Sequence, residues 1–109
     1  MRRLKVEELK EWFDKKKEFQ ILDTREKEEF ELAAIEKSIN IPKAELQNQY
    51  EELNQEKNII VVCRFGTKSA ASARFLISKG FDADKLYLLD GGIYEWAVEI
   101  DTEMPSHLL

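Results

Sequence analysis

The chain has 109 residues, of which 36% are charged, and a net charge of −5. This length predicts one domain with a single hydrophobic core, residues 1–109, and 43% of the residues are apolar. The acidic balance argues against a nucleic-acid partner, and no apolar run approaches the length of a membrane span.

The cysteine count and the N-terminus add two further expectations. One cysteine excludes an internal disulfide, and one cysteine with one histidine is too few for a structural zinc site. Three of the first five residues are basic, but no apolar segment of the kind found in secretory signals follows them. The sequence therefore predicts a cytoplasmic protein with no membrane partner.

Hydrophobic periodicity predicts strands that alternate with helices. The strands are short apolar runs, predicted at 3–5, 19–23, 38–41, 59–62 and 86–89. The helices carry apolar residues three and four positions apart, and are predicted at 6–17, from Thr24 through Phe30, at 46–53, from Ser69 to Gly80 and from Ile93 to Ala97. A tail without periodicity is predicted from about residue 101. This alternation indicates an α/β domain with a mainly parallel sheet.

In parallel sheets, ligands bind outside the carboxyl ends of the strands. Asp23 ends a predicted strand, and Cys63 and Asp90 each come directly after one. We therefore expect these three residues to gather at one edge of the sheet, with Cys63 between the other two.

Cys63 follows the most apolar strand, 59–62, and precedes a helix. Backbone N–H groups at a helix start carry partial positive charge, which binds anions and favours the thiolate form of a cysteine. Arg64 and Lys68 add positive charge, and Gly66 allows the backbone to curl around the sulfur. The pattern predicts a nucleophilic cysteine; the alternative is an inert buried thiol.

Three other interpretations of the loop are weaker. A nucleotide-binding P-loop needs Lys directly after its second glycine, where this chain has Thr67. A cysteine phosphatase has arginine six positions after its cysteine to bind the oxyanion, where this chain has Ser69. A thiol–imidazole pair would need His107, which lies in the predicted tail and is expected to be solvated.

Five motifs, in order and at these spacings, make the chain similar to the rhodanese-like sulfurtransferase family. They are Asp23-Thr24-Arg25, Glu28-Glu29-Phe30, Ile39-Asn40-Ile41-Pro42, the loop Cys63-Arg64-Phe65-Gly66-Thr67-Lys68-Ser69, and Gly91-Gly92-Ile93-Tyr94-Glu95-Trp96. The likeness covers nearly the whole chain. Residues 96–101 with Pro105 also look similar to rhodanese units joined to ubiquitin-activating-like adenylyltransferases.

The resemblance implies a five-stranded parallel sheet flanked by helices on both faces. It implies that Cys63 takes a sulfane sulfur from thiosulfate or a protein persulfide, and passes it to cyanide, a thiol or a biosynthetic acceptor, with no metal or organic cofactor. The substrate-binding residues it implies are those of the loop: Arg64, Phe65, Gly66, Thr67, Lys68 and Ser69. Ser69 is expected either to cap the helix or to bond the sulfur.

The chain departs from the family pattern between Ala33 and Ser38. The family often has Gly-His-Ile-x-Gly-Ala there, and this chain has Ala33-Ala34-Ile35-Glu36-Lys37-Ser38, so the turn must be made differently. Asp23 and Arg25 are expected to pair and to fix the turn after their strand, supporting the pocket wall; substrate contact is the alternative.

A rival interpretation from another functional class is a docking or persulfide-sensing module of the same fold without turnover. A phosphatase or small-oxyanion reductase is a third possibility, against which the length of the loop argues.

Overall fold

The computed structural model describes the backbone of residues 1–109 and every side chain except that of Leu108. The five strands are β1 (Arg2–Leu4), β2 (Gln20–Asp23), β3 (Ser38–Asn40), β4 (Ile59–Val62) and β5 (Leu86–Leu89). The five α-helices are α1 (Val6–Asp14), α2 (Lys27–Leu32), α3 (Leu46–Gln49), α4 (Ser69–Ser78) and α5 (Gly92–Glu99). None of these helices combines the length and apolarity needed to cross a membrane.

The strands form one parallel sheet in the order β1-β5-β4-β2-β3. All four residues of β4 are buried, since this central strand is covered on both faces. Ile60 and Val62 pack with α1 and α5, whereas Ile59 and Val61 pack on the opposite face with α3 and α4. The predicted class, a five-stranded parallel sheet with helices on both faces, is confirmed.

The sheet order places the three predicted edge residues as expected. Asp23 ends β2, Cys63 follows β4, and Asp90 follows β5, so Cys63 lies between the two aspartates at the carboxyl edge. Asp90 is partly exposed and accepts a hydrogen bond of 2.8 Å from Arg3.

Three helix predictions need correction. The first helix ends at Asp14 rather than 17, because Lys16 adopts a left-handed backbone with φ 54°. The second helix begins at Lys27 rather than at Thr24, whose hydroxyl donates to the Val62 carbonyl instead. The segment predicted as one helix at 46–53 is α3 flanked by two 3-10 turns, Lys43–Glu45 and Tyr50–Glu52.

The segment predicted as an irregular tail packs against the body of the domain. Met104 and Leu109 are buried with the α1 and α5 side of the core, and Ser106–Leu108 form a 3-10 turn. His107 is exposed, as expected. The segment is neither a regular helix nor a strand, so its buried residues recur at no fixed spacing. Hydrophobic periodicity therefore could not predict that it packs against the domain.

A buried ion pair fixes the turn between β2 and α2. The Asp23 and Arg25 side chains are 1% and 2% exposed, and the Arg25 guanidinium donates to both carboxylate oxygens at 2.8–3.1 Å. Arg25 also donates to the backbone carbonyls of Glu29 and Ala33. The side chain of Asn40 on β3 donates to the carbonyls of Asp23 and Arg25. The predicted pairing is therefore present and joins β2, α2 and β3.

We predict that Arg25→Ala lowers the free energy of unfolding by about 3–5 kcal/mol, because it leaves the Asp23 carboxylate buried without its cation, and only the backbone N–H of residue 25 still donates to it. The matched control is Lys10→Ala, which removes an exposed pair with Asp14 and should cost about 0.5 kcal/mol at most. Urea unfolding followed by circular dichroism measures both. Equal losses in the two variants would contradict the structural role given to Arg25.

Candidate active site

The loop from Cys63 to Lys68 curls around the cysteine sulfur. The backbone N–H groups of Gly66 and Lys68 donate to Sγ at 3.1 and 3.4 Å, and the Ser69 hydroxyl lies 3.1 Å from Sγ. Cys63 is 6% exposed, and Ser69, the first residue of α4, is fully buried. The sulfur is thus nearly buried, with hydrogen-bonding groups of the loop and of the start of α4 around it.

These contacts determine what the sulfur can do chemically. Hydrogen bonds from donors to a negatively charged acceptor are stronger than those to a neutral one, so the amides of Gly66 and Lys68 are placed to bind an anionic sulfur. The N-terminus of the ten-residue α4 adds partial positive charge beside the same sulfur. The arrangement suits a nucleophilic sulfur, or a sulfur that carries one further anionic atom.

The first two carbonyl groups of the loop are bound by α5. The N–H of Ile93 donates to the Cys63 carbonyl and the N–H of Tyr94 donates to the Arg64 carbonyl, both at 3.0 Å. These bonds satisfy two of the N–H groups that a helix start leaves unpaired. The first turn of α5 therefore holds the loop from outside, and leaves the loop amides directed at the sulfur.

Two glycines allow this close approach. Gly92 has φ +62°, and a Cβ atom there would lie 2.6 Å from both the Arg64 carbonyl oxygen and the Gly66 nitrogen. Gly66 has φ +83°, and its Cβ would lie 2.8 Å from the Gly91 nitrogen. Both positions favour glycine for its backbone angle and for the missing side chain. The motif that begins with Gly91-Gly92 marks these glycines in the sequence, but it does not reveal their close contact with the cysteine loop.

The loop side chains are mostly directed outward. Arg64, Phe65, Thr67 and Lys68 are exposed, and Lys68 approaches the sulfur only through its backbone N–H. Their predicted role in binding substrate stays a prediction. Ser69 is the one loop side chain that contacts Sγ, so of the two expectations for Ser69 the bond to the sulfur is present.

The other predicted supporting residues lie beneath the site. Asp23 and Arg25 pair with each other and make no hydrogen bond to the sulfur. Thr24 connects this pair to the loop, because its backbone N–H and its hydroxyl both donate to the Val62 carbonyl, one residue before Cys63. In the described part of the chain, no group of three or more metal-ligating side chains comes together.

Comparison with known proteins gives concordant matches. The family model described as Rhodanese-like domain matches residues 5–99. Thiosulfate sulfurtransferase GlpE of Coxiella burnetii is 32% identical over 82 residues, covering 75% of this chain and 75% of that protein. Adenylyltransferase and sulfurtransferase MOCS3 of Arabidopsis thaliana is 29% identical over 121 residues, covering 96% of this chain.

The solved structure of a rhodanese-related protein from Thermoplasma volcanium has a TM-score of 0.80 and 32% identity, and the match covers 92% of this chain and 94% of that one. The lengths of the curated relatives differ. This chain spans 26% of the Arabidopsis protein and 22% of a similar yeast adenylyltransferase and sulfurtransferase, UBA4 of Yarrowia lipolytica.

We predict that Gly92→Ala destabilises the domain more than Gly80→Ala, by about 1–3 kcal/mol from overpacking. Both glycines have positive φ, but a Cβ at Gly80 would meet no atom within 4 Å, whereas one at Gly92 would meet the backbone of the cysteine loop. Gly80→Ala therefore measures the backbone-angle penalty alone. Denaturant unfolding of the two variants gives the difference, and equal stabilities would show that α5 does not hold the loop so closely.

Proposed function

The chain belongs to the rhodanese-like domain family, and on that premise we propose that it is a sulfurtransferase, working as one domain through a persulfide on Cys63. Relatives of this chain carry the name sulfurtransferase, which supports the class of reaction. The observation that carries the proposal is the sulfur of Cys63 bonded by the Gly66 and Lys68 amides and by the Ser69 hydroxyl.

In the first step the Cys63 thiolate attacks the outer, sulfane sulfur of a donor such as thiosulfate. A sulfur–sulfur bond forms to Cys63, the bond between the sulfane sulfur and the sulfonate sulfur breaks, and sulfite leaves with that electron pair. A protein persulfide can serve as donor in the same way, with its thiolate as the leaving group. The loop then holds a persulfide whose terminal sulfur is negatively charged.

In the second step a nucleophilic acceptor attacks the terminal sulfur. With cyanide, a carbon–sulfur bond forms, the sulfur–sulfur bond breaks, and Cys63 leaves as the thiolate from which the cycle began. A thiol or biosynthetic acceptor reacts in the same sense and carries the sulfur away as its own persulfide. The two half-reactions imply ping-pong kinetics and require no metal or organic cofactor.

The size and charge of the loop support a small anionic cargo. Six residues from Cys63 to Lys68 enclose the sulfur, and the amides nearest to it are already within 3.1–3.4 Å. Arg64 and Lys68 place two exposed cations beside the site in a chain whose net charge is −5. An anionic donor is thus attracted locally, and the attraction falls as salt rises.

We predict that intact-protein mass increases by one sulfur atom after incubation with thiosulfate, and that cyanide removes this mass. Cys63→Ser should show neither change, because the hydroxyl cannot replace the thiolate as nucleophile and leaving group, while the fold survives so small a substitution. Mass spectrometry and thiocyanate production measure the two half-reactions. Activity retained by Cys63→Ser would overturn the mechanism.

The same experiment separates the enzyme from a docking or sensing module. A wild-type thiol that iodoacetamide alkylates freely, but that gains no sulfur from thiosulfate or from a persulfidated protein, would indicate a module without turnover.

We further predict that Ser69→Ala reduces the rate of sulfur transfer about tenfold, since a hydrogen bond to a charged acceptor contributes about 1.5–3 kcal/mol. The Ser69 hydroxyl is buried, makes the contact with Sγ, and has no route to bulk water. Ser78→Ala is the matched control, because it removes an exposed hydroxyl from the other end of the same helix. A Ser69→Ala enzyme as fast as wild type would exclude this contact from the mechanism.

A further inference from the structure

Exposed apolar side chains are concentrated beside the cysteine loop. In the described part of the chain five large apolar side chains are exposed, and three of them, Phe65, Tyr94 and Val98, lie on the loop and on α5. Phe65 is 49% exposed, Tyr94 39% and Val98 43%. We call these three residues the aromatic patch. Clusters of exposed apolar surface mark interaction sites far more often than single exposed residues do.

The patch is held in place at the entrance to the site. The Phe65 and Tyr94 rings are in contact, with centroids 5.3 Å apart and a tilt of 53°. The N–H of Tyr94 donates to the Arg64 carbonyl, which ties the helix end of the patch to the loop. Val98 lies one helical turn beyond Tyr94, on the same face of α5. The patch therefore begins two residues from Cys63 and extends along α5.

The proposed chemistry leaves this surface without a role. The loop grips the sulfur through backbone amides and Ser69, so the side chain at position 65 contributes nothing to that grip. Thiosulfate and cyanide are small and strongly hydrated, and gain little from contact with aromatic rings. An apolar segment of a polypeptide does gain, because burying it against the patch removes apolar surface of both molecules from water.

The charges around the patch are unequal at its two ends. At the loop end, Arg64 lies over the Phe65 ring, 5.0 Å from its centroid, and Lys68 is close by in the loop. Neither cation has a carboxylate oxygen within 4.0 Å in the described chain. At the far end, α5 carries the exposed Glu99, while Glu95 in its first turn lies on the side of the helix that faces Gly91. A partner that complements this surface has carboxylates over the loop and apolar side chains over the patch.

We infer that the aromatic patch is the docking surface for a protein that exchanges sulfur with Cys63, and that this protein presents its reactive sulfur on an apolar segment flanked by acidic residues. The inference rests on the proposed function for the meaning of the exchange, although the docking itself can be measured without any sulfur transfer. Charge complementarity at the loop end and the position of the patch beside Cys63 carry it.

The test uses iodoacetyl tetrapeptides, which alkylate Cys63 with loss of iodide and therefore report docking beside this thiol. One peptide contains leucine, phenylalanine and two glutamates. A second replaces the glutamates with lysines, and a third replaces leucine and phenylalanine with serine and asparagine. Each labelling rate is divided by the rate of iodoacetamide with the same protein, so that changes in intrinsic thiol reactivity cancel.

We expect this relative rate to be about tenfold higher for the acidic apolar peptide than for either of the other two peptides. The reason is that truncation of a central interface residue commonly changes binding by such a factor. Tyr94→Ser and Val98→Ser should reduce this preference for apolar peptides. Leu32→Ser, which removes an apolar side chain that is 59% exposed on α2, should leave it unchanged. Added salt should weaken the preference for glutamate over lysine.

Two results would overturn the inference: equal relative rates for the three peptides, or a preference that Tyr94→Ser and Val98→Ser leave intact. The proposed function fails separately, if Cys63 gains no sulfur mass from thiosulfate or from a persulfidated protein. A chain that gains this mass but shows no peptide preference would be a sulfurtransferase for small molecules. A chain that shows the preference without gaining mass would be a docking module.

Discussion

The cysteine loop depends on having different partners for its backbone carbonyl groups and for its backbone N–H groups. Its carbonyls at Cys63 and Arg64 are bound by the N–H groups of Ile93 and Tyr94, so they do not compete for the inside of the loop. Its N–H groups at Gly66 and Lys68 are thereby left to face the sulfur. A short loop can hold an anion only when its own carbonyls are directed elsewhere, because a carbonyl oxygen beside a thiolate or a persulfide is repulsive. The first turn of α5 provides that condition.

The rest of the sheet edge keeps this geometry in register. Thr24 and Cys63 follow neighbouring parallel strands, and Thr24 bonds the last carbonyl of β4. The buried Asp23–Arg25 pair then fixes the path of the chain after β2, and Arg25 binds the Ala33 carbonyl at 2.7 Å. The turn that follows lacks the usual glycines of the family. Lys37 makes it instead, with a left-handed φ of 69°, at a cost of about 1–2 kcal/mol. Arg25 anchors one side of that strained segment.

The parts that could be predicted from the sequence are those in which burial imposes a local pattern. Strands β4 and β5 have the predicted bounds. Strand β4 is covered on both faces, and its run of four apolar residues indicates this in the sequence. The contacts of Thr24 and Gly92 could not be predicted, for the opposite reason. The Thr24 partner, Val62, is 38 residues away, and the atoms that exclude a Cβ at Gly92 belong to residues 63–66. Long-range contacts of single residues leave no periodicity, so Cys63 could be singled out from the sequence, whereas the contacts that hold its loop could not.

The same geometry explains why this loop suits a single added sulfur better than a tetrahedral oxyanion. A phosphate needs room for three non-bridging oxygens and a cationic fork to bind two of them. Here the residue six positions after Cys63 is Ser69, which is fully buried and already in contact with Sγ. No guanidinium occupies that position, and Arg64 is directed outward over Phe65. The donors that remain, two amides and one hydroxyl, surround a space close to the sulfur itself, and a terminal persulfide sulfur is the anion that needs no more than this.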